Sequence, residues 1–182
     1  MIGNSSGAIV SLKLLARHSD VVRNVMAYEP PAANVLPDRD ELRAITEDLY
    51  EIYRTSGTAP AFERFMDLVK ADDMMRMGMR SMMFTPDLLR TYNIMYWFER
   101  EFVPYPNAKF DVDAELRPSK DKLILLNGED SNKEAFHVRA NPALAEKLGK
   151  KVTMVPGGHV GHATHSKAFA SRLVEVLQSS NA

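Results

Sequence analysis

Three short apolar runs, each closed by glycine or proline, punctuate the chain. Val21 to Tyr28 stops at Glu29-Pro30-Pro31, Lys122 to Asn127 stops at Gly128, and Lys151 to Val155 stops at Pro156-Gly157-Gly158. Runs this short, rich in Val, Ile, Leu and Met and bounded by breakers, predict parallel strands buried on both faces. Between them the period changes to that of a helix. Ala8 to His18 is apolar on most sides, with Lys13 and Arg17 sharing its charged side, and predicts a largely buried helix. Asn132 to Ala140 predicts a helix. Asn141-Pro142 reads as the cap and first turn of another, which Gly149 ends. Ser166 opens a last helix whose apolar face is Phe169, Leu173, Val176 and Leu177.

The stretch between the first and second predicted strands is helical throughout: Asp38 to Arg54, Ala61 to Lys70 and Pro86 to Phe102 carry helical periodicity, and no strand pattern intervenes. Ordinary crossovers are shorter, so this stretch predicts a helical lid over one end of a sheet. The expected organisation is therefore α/β, with core segments at 1–32 and 119–182 and a helical cap at 33–118.

Composition narrows the function. With 23 Lys and Arg against 24 Asp and Glu, the net charge is −1, so there is no basic excess for nucleic acid or for an anionic membrane. Cysteine is absent, which excludes disulfides and thiol nucleophiles. No apolar stretch approaches the ~20 residues of a membrane span. The opening Met1-Ile2-Gly3-Asn4-Ser5 has no signal-peptide character, so a cytoplasmic location is expected. Of eleven methionines, seven are crowded between Met74 and Met95, and these read either as an adaptable apolar pocket or as the packing face of the lid helices.

Gly3-Asn4-Ser5-Ser6-Gly7 matches G-x-S-x-G, in which a serine on a tight strand-to-helix turn lifts its hydroxyl above the sheet edge. The small residues on either side, Gly3 and Gly7, would relieve crowding there. The motif alone is weak, and a plain helix N-cap is the simpler role for Ser5. Its context strengthens it. Asp130 follows the second strand in Asn127-Gly128-Glu129-Asp130-Ser131, and His159 follows the third in Pro156-Gly157-Gly158-His159. Open parallel sheets place their sites at that end. His159, His162 and His165 also form H-x-x-H-x-x-H, but the spacing is not that of a helical zinc pair and no carboxylate is interleaved, so no metal is expected. His18 reads as a helix-end residue, and His137 as a partly exposed helical one.

GNSSGA, VRNVMAYEPP, LILLNGEDS and VPGGHVGH together resemble the second half of an α/β-hydrolase-fold protein, from the nucleophile turn onward, along nearly the whole chain. The resemblance implies a partial α/β-hydrolase fold with three parallel strands, flanking helices and a helical lid. It implies a serine hydrolase with no cofactor, acting on an ester, thioester or related acyl substrate with an apolar portion. Ser5 would be the nucleophile, His159 the general base and acid, Asp130 the orienting acid, and Ser6 an oxyanion donor through its backbone. Asp130 stands one residue before the usual acid position, held here by Ser131. Glu29 after the first strand is therefore the alternative acid, with Glu129 a third candidate. The same triad also serves perhydrolases and C–C bond hydrolases, while Ser5 stands where a dehalogenase has aspartate. The resemblance places the family's earlier strands ahead of Met1. That leaves an exposed edge on strand Val21 to Tyr28 suited to self-association, and admits a catalytically silent fragment or ligand-binding module as the alternative function.

Overall fold

The computed structural model describes residues 1–84 and 86–180. Four parallel strands form one sheet in the order β1 (Ile2–Asn4), β2 (Val25–Tyr28), β3 (Leu123–Gly128) and β4 (Val152–Val155). Three correspond to the predicted runs. The fourth, β1, is the two or three residues before the G-x-S-x-G serine, and it pairs Ile2 with Met26 and Asn4 with Tyr28. The edges of this sheet are β1 and β4, and β2 is paired on both sides rather than exposed as expected. The first predicted run is also shorter than expected, because Ser19–Val21 forms a 3-10 turn and Val21 is exposed.

Side chains alternate along each central strand, as period two requires. Val25, Ala27, Leu123 and Leu125 join the main core with Leu12 and Leu15 of helix α1 (Ser6–Arg17) and Leu144 and Leu148 of helix α6 (Phe136–Leu148). Met26, Tyr28, Ile124 and Leu126 face the other way. They are covered by Phe169, Leu173, Val176 and Leu177 of helix α8 (Ser166–Ser180), which follows the single turn α7 (Gly161–Thr164); these are the four residues whose spacing marked its apolar face.

Helix α6 departs from the expected pair. It runs unbroken through Pro142, which cannot donate to the carbonyl of Val138 one turn earlier. Asn127 of β3 supplies the missing donor, its Nδ2 reaching Val138 O at 2.9 Å. Asn141, expected as a cap, is instead fully buried. Its Nδ2 donates to the carbonyls of Ala27 and Leu126 and to Oδ1 of Asn127. A strand side chain thus replaces the helix bond that proline removes.

Between β2 and β3, every element among the described residues is helical: α2 (Arg39–Ser56), α3 (Thr58–Leu68), α4 (Asp73–Met83) and α5 (Leu88–Tyr96), followed by a π-helical turn at Trp97–Glu101. Arg80 clasps Glu63 with two bonds of 2.8 and 2.7 Å, and Arg76 reaches Asp67 at 2.5 Å, fastening α4 to α3. Phe62, Met66, Phe98 and Phe102 extend the main core into these helices. No helix among the described residues is long and apolar enough to cross a membrane.

Candidate functional site

Ser5 sits in the turn between β1 and α1 with φ 55° and ψ −126°, a conformation that costs a non-glycine residue about 1–3 kcal/mol. The turn is held from below, where the Ser5 N–H donates to Tyr28 O at 3.0 Å. A Cβ on Gly3 would collide with the Gly7 carbonyl and the Ser11 hydroxyl, so the turn demands glycine there. Gly7 is different. A Cβ at that position meets open space, and the expected crowding falls on one side of the serine only. Ser6 is the first residue of α1, where a backbone N–H has no acceptor within the helix and the helix dipole favours negative charge.

His159 follows β4 on a loop fastened to the serine's side of the sheet. Asn4 Nδ2 donates to the His159 carbonyl at 3.2 Å, and the Tyr28 hydroxyl donates to the carbonyl of Gly158. Burial, and secondarily the charge of Glu29, push the Tyr28 hydroxyl far above its ordinary pKa, so it remains a donor.

The carboxylate at the histidine ring is Glu29, not Asp130. Glu29 Oε2 lies 2.7 Å from His159 Nδ1, and Glu29 Oε1 accepts from the Gly128 N–H at 2.8 Å. The side chain has no solvent exposure, and its backbone takes a left-handed φ of 45° directly before Pro30. Asp130 and Glu129 are exposed. Their contribution is through the backbone: Glu129 N–H donates to Val155 O at 2.9 Å and Asp130 N–H to Gly157 O at 3.2 Å, which supports the histidine loop while turning both carboxylates outward.

His137 also departs from expectation. It is buried in the first turn of α6, its ring centroid 4.4 Å from that of His159 and its Nε2 3.9 Å from Glu29 Oε2. Burial first, and the neighbouring His159 second, hold its pKa well below the ordinary value, so it is neutral near pH 7. Glu29, His137 and His159 form a compact group of metal-ligating atoms, all within 4.8 Å of one another. His162 and His165, the other members of the H-x-x-H-x-x-H pattern, are exposed.

Ser5, Ser6, His137 and His159 line one wall of a cavity of about 370 Å³. The opposing wall comes from the helical segment, with Met75, Met79, Met83, Trp97 and Phe102 among its residues. Both readings of the methionine cluster are therefore realised by the same side chains, since Met75, Met79 and Met83 also pack on the main core. Met77, Tyr92 and Met95 are exposed, and the side chains of Met74 and Met82 lie outside the described residues.

The chain matches no established family model. It is 28% identical over 182 residues to the uncharacterised hydrolase YraK of Bacillus subtilis strain 168, covering 98% of this chain and 63% of that protein. Among solved structures it superposes on MGS-M2, an α/β hydrolase from a Medee basin deep-sea metagenome library, with a TM-score of 0.63 and 15% identity. That match covers 97% of this chain and 64% of the other. It also superposes on the enol-lactonase of Burkholderia xenovorans LB400, with a TM-score of 0.58 and 18% identity over 97% and 64% of the two chains. The chain thus spans a little under two thirds of the length of each of these three proteins. Sheet order, the strained serine turn and these superpositions agree: this is an α/β-hydrolase fold, from the turn that carries Ser5 to the closing helix.

Proposed function

We propose that this chain carries the serine-hydrolase site of an enzyme acting on an ester, thioester or related acyl substrate with an apolar portion. The observation that carries the reading is the Glu29–His159 bond of 2.7 Å at a cavity that Ser5 also lines, with Ser5 on a strained strand-to-helix turn. With Nδ1–H donated to Glu29, the His159 tautomer leaves Nε2 as the proton acceptor. Ser5 Oγ attacks the substrate carbonyl carbon and its proton passes to Nε2. The resulting oxyanion receives the Ser6 N–H. Collapse breaks the bond to the alcohol or thiol, which takes the proton from His159. Water, deprotonated by the same imidazole, then releases the acid and restores Ser5. Glu29 holds the ring and stabilises the imidazolium in both halves. The family likeness of the relatives, one of them a hydrolase and one an enol-lactonase by name, supports the reaction class.

In this reading the helical segment 33–118 acts as a lid. What supports it is the cavity itself, walled on one side by the sheet end and on the other by Met75, Trp97 and their neighbours. A mostly apolar wall suits an acyl or alkyl chain and limits water at the reacting centre.

The test is covalent. A fluorophosphonate probe should label this chain at Ser5 and leave Ser5→Ala unlabelled; equal labelling of the variant would rule Ser5 out as nucleophile. The span of 63% of the relative favours a second reading, in which this stretch binds ligand without turning it over. Hydrolysis of p-nitrophenyl butyrate above a Ser5→Ala control, by this chain alone, would count against that second reading.

A further inference from the structure

The cavity holds one carboxylate that the proposed hydrolysis does not use. Glu101 closes the π-helical turn that begins at Trp97, and both residues line the cavity, as does Phe102 just beyond. The turn explains the shared face. Phe102 N–H bonds to Trp97 O, five residues back, so each turn holds more residues than in an α-helix and residues 97, 101 and 102 come to one side. Phe98, between them, is buried in the core.

Glu101 is half-buried and makes no ion pair among the described residues. The described lining of the cavity contains no lysine or arginine. The second carboxylate near the cavity is Glu29, buried behind His159. A ligand entering here therefore meets negative charge with no fixed cation to offset it. The same cavity carries an aromatic cluster: the Trp97 ring centroid lies 5.1 Å from those of both Phe65 and Phe102, and all three residues line the cavity with Glu101 and Tyr105. Aromatic rings in one cavity with a carboxylate that has no ion-pair partner favour a weakly hydrated cation and disfavour a carboxylate.

We infer that Glu101 sets charge specificity, and that the cavity prefers substrates whose apolar portion carries a protonated or quaternary amine over neutral isosteres, and rejects anionic ones. As a statement about substrate this rests on the hydrolase reading; as a statement about binding it stands apart from it. An acyl group with a trimethylammonium end would place its methyl groups on Trp97, Phe65 and Phe102 and its charge near Glu101, leaving its carbonyl for the serine side of the cavity.

Trp97 is the chain's single tryptophan, so its fluorescence reports on this wall directly. The chain is titrated with choline and with 3,3-dimethylbutan-1-ol, which has the same shape without the charge. Choline should bind about tenfold more tightly. The difference should vanish in Glu101→Gln, reverse towards glutarate in Glu101→Lys, and persist in Ser5→Ala. Circular dichroism of each variant checks that the fold is retained. Equal affinities in the unaltered chain, no saturable response to choline, or a choline preference that survives Glu101→Gln would each overturn the inference. A kinetic arm compares p-nitrophenyl 4-(trimethylammonio)butanoate with p-nitrophenyl 5,5-dimethylhexanoate, each corrected for its rate with hydroxide. Failure of both esters alongside a Glu101-dependent choline response would sink the hydrolase reading and leave this one standing.

Discussion

A carboxylate without solvent is costly unless its oxygens are hydrogen-bonded, and at Glu29 both are, one by the Gly128 N–H and one by His159 Nδ1. His137 presses on the same pair as a neutral ring. Its depressed pKa has a consequence for stability. The unfolded chain binds a proton at His137 below about pH 6.5, and the folded one does so only at lower pH. The stability it contributes is therefore present above about pH 6.5 and lost as pH falls towards the folded pKa. Melting temperatures taken from pH 8 to pH 5.5 should fall more steeply for the unaltered chain than for His137→Phe. Parallel curves would mean that His137 is not held neutral. The aromatic variant should also keep the packing against His159.

The elements were legible wherever one periodicity dominated. Three of the four strands follow from apolar runs closed by breakers, and helix α1 and the face of α8 follow from helical spacing. β1 did not, because three residues carry too little pattern to separate from a loop. Nor did the unbroken α6, since Pro142 is a sound local sign of a helix start. The competing signal was Asn127, distant in sequence, whose side chain occupies Val138 O. Removing it by Asn127→Ala should cost about 1–3 kcal/mol in urea unfolding, by leaving that carbonyl without a donor. In a Pro142→Ala background the restored N–H should reduce the cost, and additive effects would show that the two residues are not coupled. The serine turn makes a sharper contrast. Gly3→Ala should destabilise by about 1–3 kcal/mol or more through the clash with Gly7 and Ser11. Gly7→Ala should be neutral or stabilising by up to about 1 kcal/mol, since its Cβ meets open space inside a helix.

Across the whole molecule, chain order and strand ends placed Ser5 and His159 at one cavity while they stand 154 residues apart in the chain. Sequence favoured Asp130 over Glu29 because Asp130 follows a strand in a familiar pattern, whereas contact with the His159 ring depends on which side chain turns inward, and that is Glu29. The available clue was a charged residue closing an otherwise apolar strand, Glu29 before two prolines. His137 and Glu101 left no such mark, since each reads as an ordinary helical residue until the sheet and the helical segment are brought together.

The claim on which the account rests is that Glu29 orients His159 for Ser5, and reaction with a fluorophosphonate measures it directly. The second-order labelling rate of Glu29→Gln should fall by about 10²–10⁴ relative to the unaltered chain, while Asp130→Asn should remain within about a factor of two. A large loss in Asp130→Asn with Glu29→Gln unaffected would contradict it.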